Sequence, residues 1–203
     1  MERRGWVAVT VTSLVLAALV VGVVVVANLA NIGVRDIRRF LGEADEPAPR
    51  PDFALPFACG ERWQISTYPG HTPEDKKVDM YRLDGATEGG IVRASAPGVV
   101  DRLSEPGGVK IDHGGRWYTL YLHMSDIRVK PGQELSEGQP IGRVGTVGTD
   151  AAHLHYEQIN DRNGDGWGGS PQEIVNPVIQ GTRYALDPNS EEWPELTSTN
   201  SCP

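Results

Sequence analysis

The chain contains five histidines, His71, His113, His123, His153 and His155. His153 and His155 stand two apart in a run, His153 to Ile159, that reads as a strand. Both imidazoles then point to one face, while Leu154 and Tyr156 point to the other, the expected core. A pair of imidazoles on one sheet face can supply one metal ligand and one neighbouring acid or base. His71 and Asp79 occur in Gly70-His71-Thr72-Pro73-Glu74-Asp75-Lys76-Lys77-Val78-Asp79, a loop followed by a strand start. Imidazole and carboxylate are both zinc ligands, and two His with one Asp leave a position open for water. That open position separates a catalytic zinc site from a closed structural one. Bound zinc lowers the pKa of its water toward about 7 and polarises a peptide carbonyl. A nearby neutral His can take the proton and pass it to the leaving amine. His123 ends a run in which strand alternation places it beside Tyr121, Thr119 and Trp117, opposite Leu120, Leu122 and Met124. A strand-borne His among aromatic residues serves structure as readily as chemistry.

The elements that position these residues are strands. Ile91 to Val100 reads as strand, turn at Pro97-Gly98, strand. Val109, Ile111 and His113 alternate with Lys110 and Asp112, and Gly114-Gly115 forms a hairpin turn. Arg116 to Met124 is rich in aromatic and β-branched residues. Turns at Lys130-Pro131-Gly132 and Glu137-Gly138-Gln139 precede short strands at Leu135 and Ile141–Val144. No stretch within residues 52–186 keeps a helical period over ten or more residues. The expected fold class is mainly β, an antiparallel sheet domain preceded by one transmembrane helix.

That helix comes from the uneven spread of apolar residues. The 203-residue chain carries 19 Lys plus Arg against 27 Asp plus Glu, a formal charge of −8. This acidity argues against nucleic acid, which selects a basic footprint. No charged residue stands between Gly5 and Val34. A helix over residues 5–26 would be about 33 Å long, enough to cross a bilayer core. A cleaved signal peptide would have a shorter apolar region and a small-x-small cleavage site, of which Ala27-Asn28-Leu29-Ala30 is a poor version. Setting aside residues 1–34, with one Glu and two Arg, leaves 26 acidic and 17 basic residues, so the remainder carries −9. The chain therefore divides into an anchor at 1–34, a charged and Pro-rich juxtamembrane linker at 35–51, a folded domain at 52–186 and a polar C-terminal tail at 187–203. Arg35, Arg38 and Arg39 after the span outnumber Arg3 and Arg4 before it, which does not support an outward-facing domain by the charge rule. The domain chemistry argues for one, a single-pass membrane protein with its C-terminal domain extracytoplasmic. Two cysteines in such a compartment, Cys59 and Cys202, point to a disulfide, with two unrelated thiols as the alternative; no zinc-type Cys pair exists.

Ala94-Ser95-Ala96-Pro97-Gly98-Val99-Val100, Tyr121-Leu122-His123-Met124, the turns Pro131-Gly132 and Glu137-Gly138-Gln139 with Ile141-Gly142, and His153-Leu154-His155-Tyr156-Glu157 follow one another in this order. In that order, over about residues 55–160, the chain resembles the lysostaphin-type, LytM-like zinc metallopeptidases, which are peptidoglycan endopeptidases. The resemblance implies a domain of the lysostaphin-type, duplicated-hybrid kind and a zinc cofactor. It assigns Asp79 and His155 as metal ligands, and His123 and His153 as the pair that orients water beside them. His113 matches a position read as structural. The family's first ligand usually stands four residues before the Asp, where this chain has Asp75. His71, in the same loop, is the preferred first ligand, with Asp75 as the alternative.

The resemblance implies a membrane-anchored zinc endopeptidase acting on peptide cross-links of peptidoglycan. The irregular His71 spacing leaves open a second reading, a non-catalytic module of the same fold that binds peptidoglycan or a partner hydrolase and regulates it. The hairpins at Val129–Gln133 and Gly138–Gly142 also resemble a lipoyl- or biotinyl-carrier barrel, but no Lys stands at the required hairpin tip. Asp161-Arg162-Asn163-Gly164-Asp165-Gly166 has the first half of a calcium loop. Its twelfth position is Gln172, and Glu173 comes one residue later; such a run also makes an ordinary polar turn.

Overall fold

Short runs of alternating apolar residues, punctuated by Gly and Pro, give an antiparallel β protein in the computed structural model, which describes residues 48–203. The expected anchor and most of the linker lie outside the described residues. Among the described residues no helix is long and apolar enough to cross a membrane. The strands are β1 (Arg62–Ser66), β2 (Val78–Arg82), β3 (Ile91–Arg93), β4 (Gly98–Ser104), β5 (Gly108–Asp112), β6 (Trp117–Leu122) and β7 (Met124–Ser125). They continue with β8 (Glu134–Leu135), β9 (Pro140–Val144), β10 (Leu154–Asn160), β11 (Ile174–Val175), β12 (Val178–Ile179), β13 (Thr182–Arg183) and β14 (Glu195–Thr197). Nine of them form one sheet in the order β14-β1-β2-β10-β6-β5-β4-β8, with β11 also paired to β10. A three-stranded sheet, β3-β9-β7, and the hairpin β12-β13 complete the fold.

The core lies on one face of the large sheet. Trp63 and Ile65 of β1, Val78 and Met80 of β2, Leu154 and Tyr156 of β10, Tyr121 of β6 and Ile111 of β5 are all fully buried there. Ile141 and Val144 of β9 and Met124 of β7 belong to the same cluster. Strand alternation then fixes what the other face presents: Asp79 of β2, His155 and Glu157 of β10, Leu120 and Leu122 of β6 and Lys110 of β5. Fully buried Tyr121 stacks edge-on against Tyr156, and its hydroxyl receives the Ser95 amide at 3.0 Å and donates to Ser95 Oγ at 3.1 Å.

Three departures from the sequence reading have physical causes. The strand expected over Arg116–Met124 breaks at His123, which adopts φ +63°. The shared face with Tyr121, Thr119 and Trp117 is therefore lost, and Met124 enters the core instead of joining Leu120 and Leu122. The β5–β6 turn extends beyond Gly114-Gly115, because Arg116 also has positive φ, at +69°. The segment 187–203 is more than a polar tail. β14 pairs with β1, Leu196 is buried, and Asn200 Nδ2 donates to Leu55 O at 3.0 Å and Ala94 O at 3.3 Å.

Cys59 and Cys202 form a disulfide that closes a loop of 143 residues in sequence separation. A bridge over so long a loop removes much entropy from the unfolded chain, though measured gains fall below the chain-entropy figure of about 5 kcal/mol. Replacing both cysteines by serine is expected to lower unfolding free energy by about 2–4 kcal/mol, read as a lower denaturant midpoint with a steeper slope, since the denatured chain is no longer cross-linked.

Candidate metal centre

The centre is built where β2, β10 and β6 lie side by side. β10 is buried along its whole length and pairs with β2 on one side and β6 on the other. Its register sets His155 opposite Asp79 across one ladder and opposite Leu122 across the other. Directly opposed residues in an antiparallel pair share a face, so Asp79 and His155 are brought together by backbone pairing alone. His155 Nδ1 lies 3.3 Å from Asp79 Oδ1.

His71 arrives from the loop between β1 and β2. Tight turns at Tyr68–His71 and Pro73–Lys77 fold that loop back on itself, with His71 N donating to Tyr68 O at 3.1 Å and Lys77 N to Pro73 O at 3.2 Å. The Tyr68 ring stacks on the His71 ring at 4.6 Å, and Thr67 Oγ1 lies 3.3 Å from His71 Nδ1. These contacts aim Nε2 inward, 2.8 Å from His155 Nδ1 and 3.7 Å from Asp79 Oδ1. One atom each from His71, Asp79 and His155 therefore lies within 4.8 Å of the others, and all three residues are buried. Asp75 is not in this cluster; its carboxylate and carbonyl accept from Asn176 Nδ2 at 3.2 and 3.0 Å. The loop takes up the longer spacing between His71 and Asp79.

The second nitrogen of His155 is also held. Nε2 donates to Glu157 Oε1 at 2.9 Å, and Glu157 pairs with Lys77 at 3.2 Å. Carboxylate–imidazole contacts of this kind orient a metal-ligating ring and fix its tautomer. Glu157 ends the His153-Leu154-His155-Tyr156-Glu157 motif, which by itself assigns it no role. The signal that finds it is the two-residue period, which carries it onto the face of His155.

Two further histidines flank the cluster. His153 Nε2 is 3.5 Å from Asp79 Oδ1, and its Nδ1 donates to Ala151 O at 2.8 Å. His123 Nδ1 donates to Val147 O at 2.8 Å, and its ring centre lies 4.7 Å from that of His153 and 5.9 Å from that of His155. Continued as a strand, His123 would face the core beside Tyr121. The left-handed backbone turns it onto the histidine face, a conformation that costs a non-glycine residue of order 1 kcal/mol and persists where neighbours hold it. Here His123 N donates to Pro106 O at 3.1 Å, Met124 N to Gly107 O at 2.8 Å, and Gly145 N to His123 O at 3.0 Å. Gly107 cannot carry a side chain, since a Cβ would stand 2.5 Å from Met124 O. His113 stands apart: its two nitrogens contact Pro97 O and Thr119 Oγ1, both at 2.8 Å.

Burial pushes the His71 imidazole down to about 4 despite the attraction of Asp79. Burial also lowers His123, outweighing its hydrogen bond to Val147 O. Both rings are thus neutral near pH 7. For His155 burial acts in the same sense, but contact with Asp79 and Glu157 outweighs it and raises the ring above its ordinary value. Burial opposes ionisation of Asp79 and Glu157 as well. The hydrogen bond to His155 nonetheless holds each carboxyl below its usual range, helped by the neighbouring imidazoles for Asp79 and by Lys77 for Glu157. A ring gripped by two carboxylates carries the positive charge that a metal ion would bring instead. Two imidazole nitrogens and one carboxylate oxygen suit zinc better than a hard cation, which prefers oxygen alone. The residues present therefore fit zinc. Beside the cluster a groove of about 290 Å³ is lined by Lys77, Glu157, Leu120, Leu122, Lys110 and Trp167 among others.

A β-sheet groove with a His/Asp/His cluster and two more histidines has the makings of a metal-dependent hydrolase. Residues 81–166 match the model of peptidase family M23, and the chain carries a domain of that family. The match takes in His123, His153 and His155 and begins two residues after Asp79. Over 52 residues, 25% of this chain and 12% of the relative, the chain is 52% identical to the peptidoglycan DD-endopeptidase ShyA of Vibrio cholerae. It is 36% identical over 114 residues to an uncharacterized metalloprotease of Haemophilus influenzae, covering 53% of this chain and 22% of that protein. The chain thus spans less than a quarter of the length of these relatives. Among solved structures, the M23 metalloprotease pseudoalterin from the deep sea superposes with a TM-score of 0.53 at 18% identity, covering 75% of this chain and 96% of that one. The fold is shared with that protein.

Replacing Glu157 by Gln is expected to weaken zinc binding about 10–100-fold, the usual cost of removing the partner of a ligating His. Asp75→Asn is expected to leave zinc affinity within about twofold, since its carboxylate sits elsewhere. Competition with a chromogenic chelator measures both.

Proposed function

We propose that this chain is a membrane-anchored zinc endopeptidase that hydrolyses peptide cross-links of bacterial peptidoglycan on the outer side of the membrane. The observation that carries the reading is the buried His71, Asp79 and His155 cluster with two further imidazoles, His123 and His153, beside it. The M23 domain supports peptide hydrolysis. The name of the Vibrio cholerae relative supports a stem-peptide cross-link as the bond. The charge-free stretch from Gly5 to Val34 supports the anchor.

His71 Nε2, Asp79 Oδ1 and His155 Nδ1 would hold the zinc. When bound, zinc supplies Lewis-acid chemistry, activating water near neutral pH and polarising the scissile carbonyl. The remaining work falls to the chain's own groups. Val147 O and Ala151 O each accept from Nδ1 of a flanking histidine, so Nε2 of His123 and of His153 is the nitrogen left free of a proton. His123 Nε2 accepts a proton from the attacking water and returns it to the leaving amine. His153 Nε2 accepts a hydrogen bond from the same water and orients it. The groove lined by Leu120, Leu122 and Trp167 offers apolar contact to the peptide.

Purified full-length chain is expected to hold about one zinc and to release cross-linked stem peptides from cell-wall sacculi. His123→Ala and His153→Ala are expected to keep the zinc and lose about 10²–10⁴ in kcat, the range for a positioned acid or base. His155→Ala is expected to lose both. Hydrolysis that persists in His155→Ala sinks the reading, and a full-length chain that takes up no zinc favours the regulatory module instead. For the anchor, the full-length chain is expected to stay with membranes through alkaline carbonate extraction. A chain starting at Pro49 is expected to be released.

A further inference from the structure

The loop that joins β10 to β11 is closed at its base by strand pairing. Ile159 stands opposite Ile174, and Asn160 N donates to Glu173 O at 2.9 Å. This brings Asp161, the first residue after β10, beside Glu173, the last before β11. Asp165 comes in from the middle of the loop. One carboxylate oxygen from each of Asp161, Asp165 and Glu173 lies within 4.8 Å of the other two. Asp161 is 2% exposed and Glu173 is 4% exposed.

Most of the oxygens here have partners. Asp161 Oδ1 accepts from Gly164 N at 2.7 Å and Oδ2 from Gly166 N at 2.9 Å. Asp165 Oδ1 accepts from Trp167 N at 2.7 Å and Oδ2 from Asn163 Nδ2 at 2.9 Å. Glu173 Oε2 accepts from Ser170 N at 3.2 Å and Ser170 Oγ at 2.7 Å. Glu173 Oε1 is different: it is buried and has no partner, a state shared among the described residues with Arg93 Nε alone. A buried carboxylate oxygen with nothing to accept costs several times a made hydrogen bond. The cationic side chains nearby are engaged elsewhere. Lys110 Nζ bonds the Trp167 carbonyl and lies 3.7 Å from Asp101 Oδ2, while Arg102 Nη2 donates to Gly166 O at 2.9 Å.

We propose that Asp161, Asn163, Asp165 and Glu173 form a second metal site, one that takes a calcium ion. All the available donors are oxygen, which selects a hard cation over zinc. Asp161, Asn163, Asp165 and Gly166 occupy positions one, three, five and six of a calcium loop. The acidic residue that such a loop carries at position twelve comes here at thirteen, and strand pairing still delivers it to the other carboxylates. The carbonyl of Trp167, at position seven, is held by Lys110 and Arg102, so water completes the shell. The loop places Trp167, 64% exposed, on the wall of the groove. A cation at its base would fix that wall, independently of zinc at the histidines.

The test uses the full-length, zinc-loaded chain and terbium, a calcium surrogate whose emission a nearby indole excites. Saturable terbium emission is expected, displaced by calcium with half-effect on the order of 10⁻⁴–10⁻³ M, the range of weak extracellular sites. Trp167→Phe is expected to lose most of the emission while calcium binding, followed by calorimetry, persists. Asp165→Asn, at an exposed position where folding is not at issue, and Glu173→Gln are each expected to weaken binding at least tenfold. His155→Ala is expected to leave terbium binding unchanged. The proposal is overturned by the absence of a calcium-displaceable signal up to 10⁻² M, by wild-type affinity in both carboxylate variants, or by loss of the signal in His155→Ala.

Discussion

His155 is gripped at both ring nitrogens, by Asp79 through Nδ1 and by Glu157 through Nε2. The arrangement of the domain around it follows from making that grip possible. Asp79 reaches it because β2 pairs with β10 in one register, and Glu157 reaches it because it stands one strand period further on. A slip of one residue in either ladder would exchange the faces, sending the imidazole and carboxylates into the core and Leu154, Tyr156 and Met80 into the groove. The apolar set on the core face therefore protects the register of the polar set on the other. Packing of Trp63, Tyr121 and Tyr156 is what keeps Asp79 and His155 opposed.

Not every part of the centre is delivered by regular strands. His71 comes from a loop folded by two turns, and His123 from a left-handed residue where β6 ends. Both depend on neighbours that have no chemistry of their own. Tyr68 and Thr67 orient the first ring; Pro106, Gly107 and Val147 hold the second. Backbone strain at His123 is offset by three backbone hydrogen bonds.

Much of this could be read from the chain alone, for a physical reason. The two-residue period placed His153 and His155 on one face and Leu154 and Tyr156 on the other, and the structure has that division. Where the backbone stays regular, spacing is geometry. It fails at His123, because alternation assumes a strand that continues and the chain turns there. Spacing alone points to Asp75, four residues before Asp79; residue type favours His71, and loop contacts such as Tyr68 on His71 are what bring that ring to the cluster. Glu157 and Glu173 were in view as letters, but their roles needed the partners that pairing supplies. Residues 187–203 looked polar because only scattered residues, Trp193, Leu196 and Asn200, carry their packing against the sheet.

We propose that one zinc ion sits between His71, Asp79 and His155. Diffraction from crystals of the zinc-loaded chain, collected on either side of the zinc absorption edge, tests it most directly. The expected result is one anomalous peak about 2.0–2.2 Å from His71 Nε2, Asp79 Oδ1 and His155 Nδ1. A peak bound by Asp75 in place of His71, or no peak at these residues in zinc-saturated crystals, would overturn this assignment.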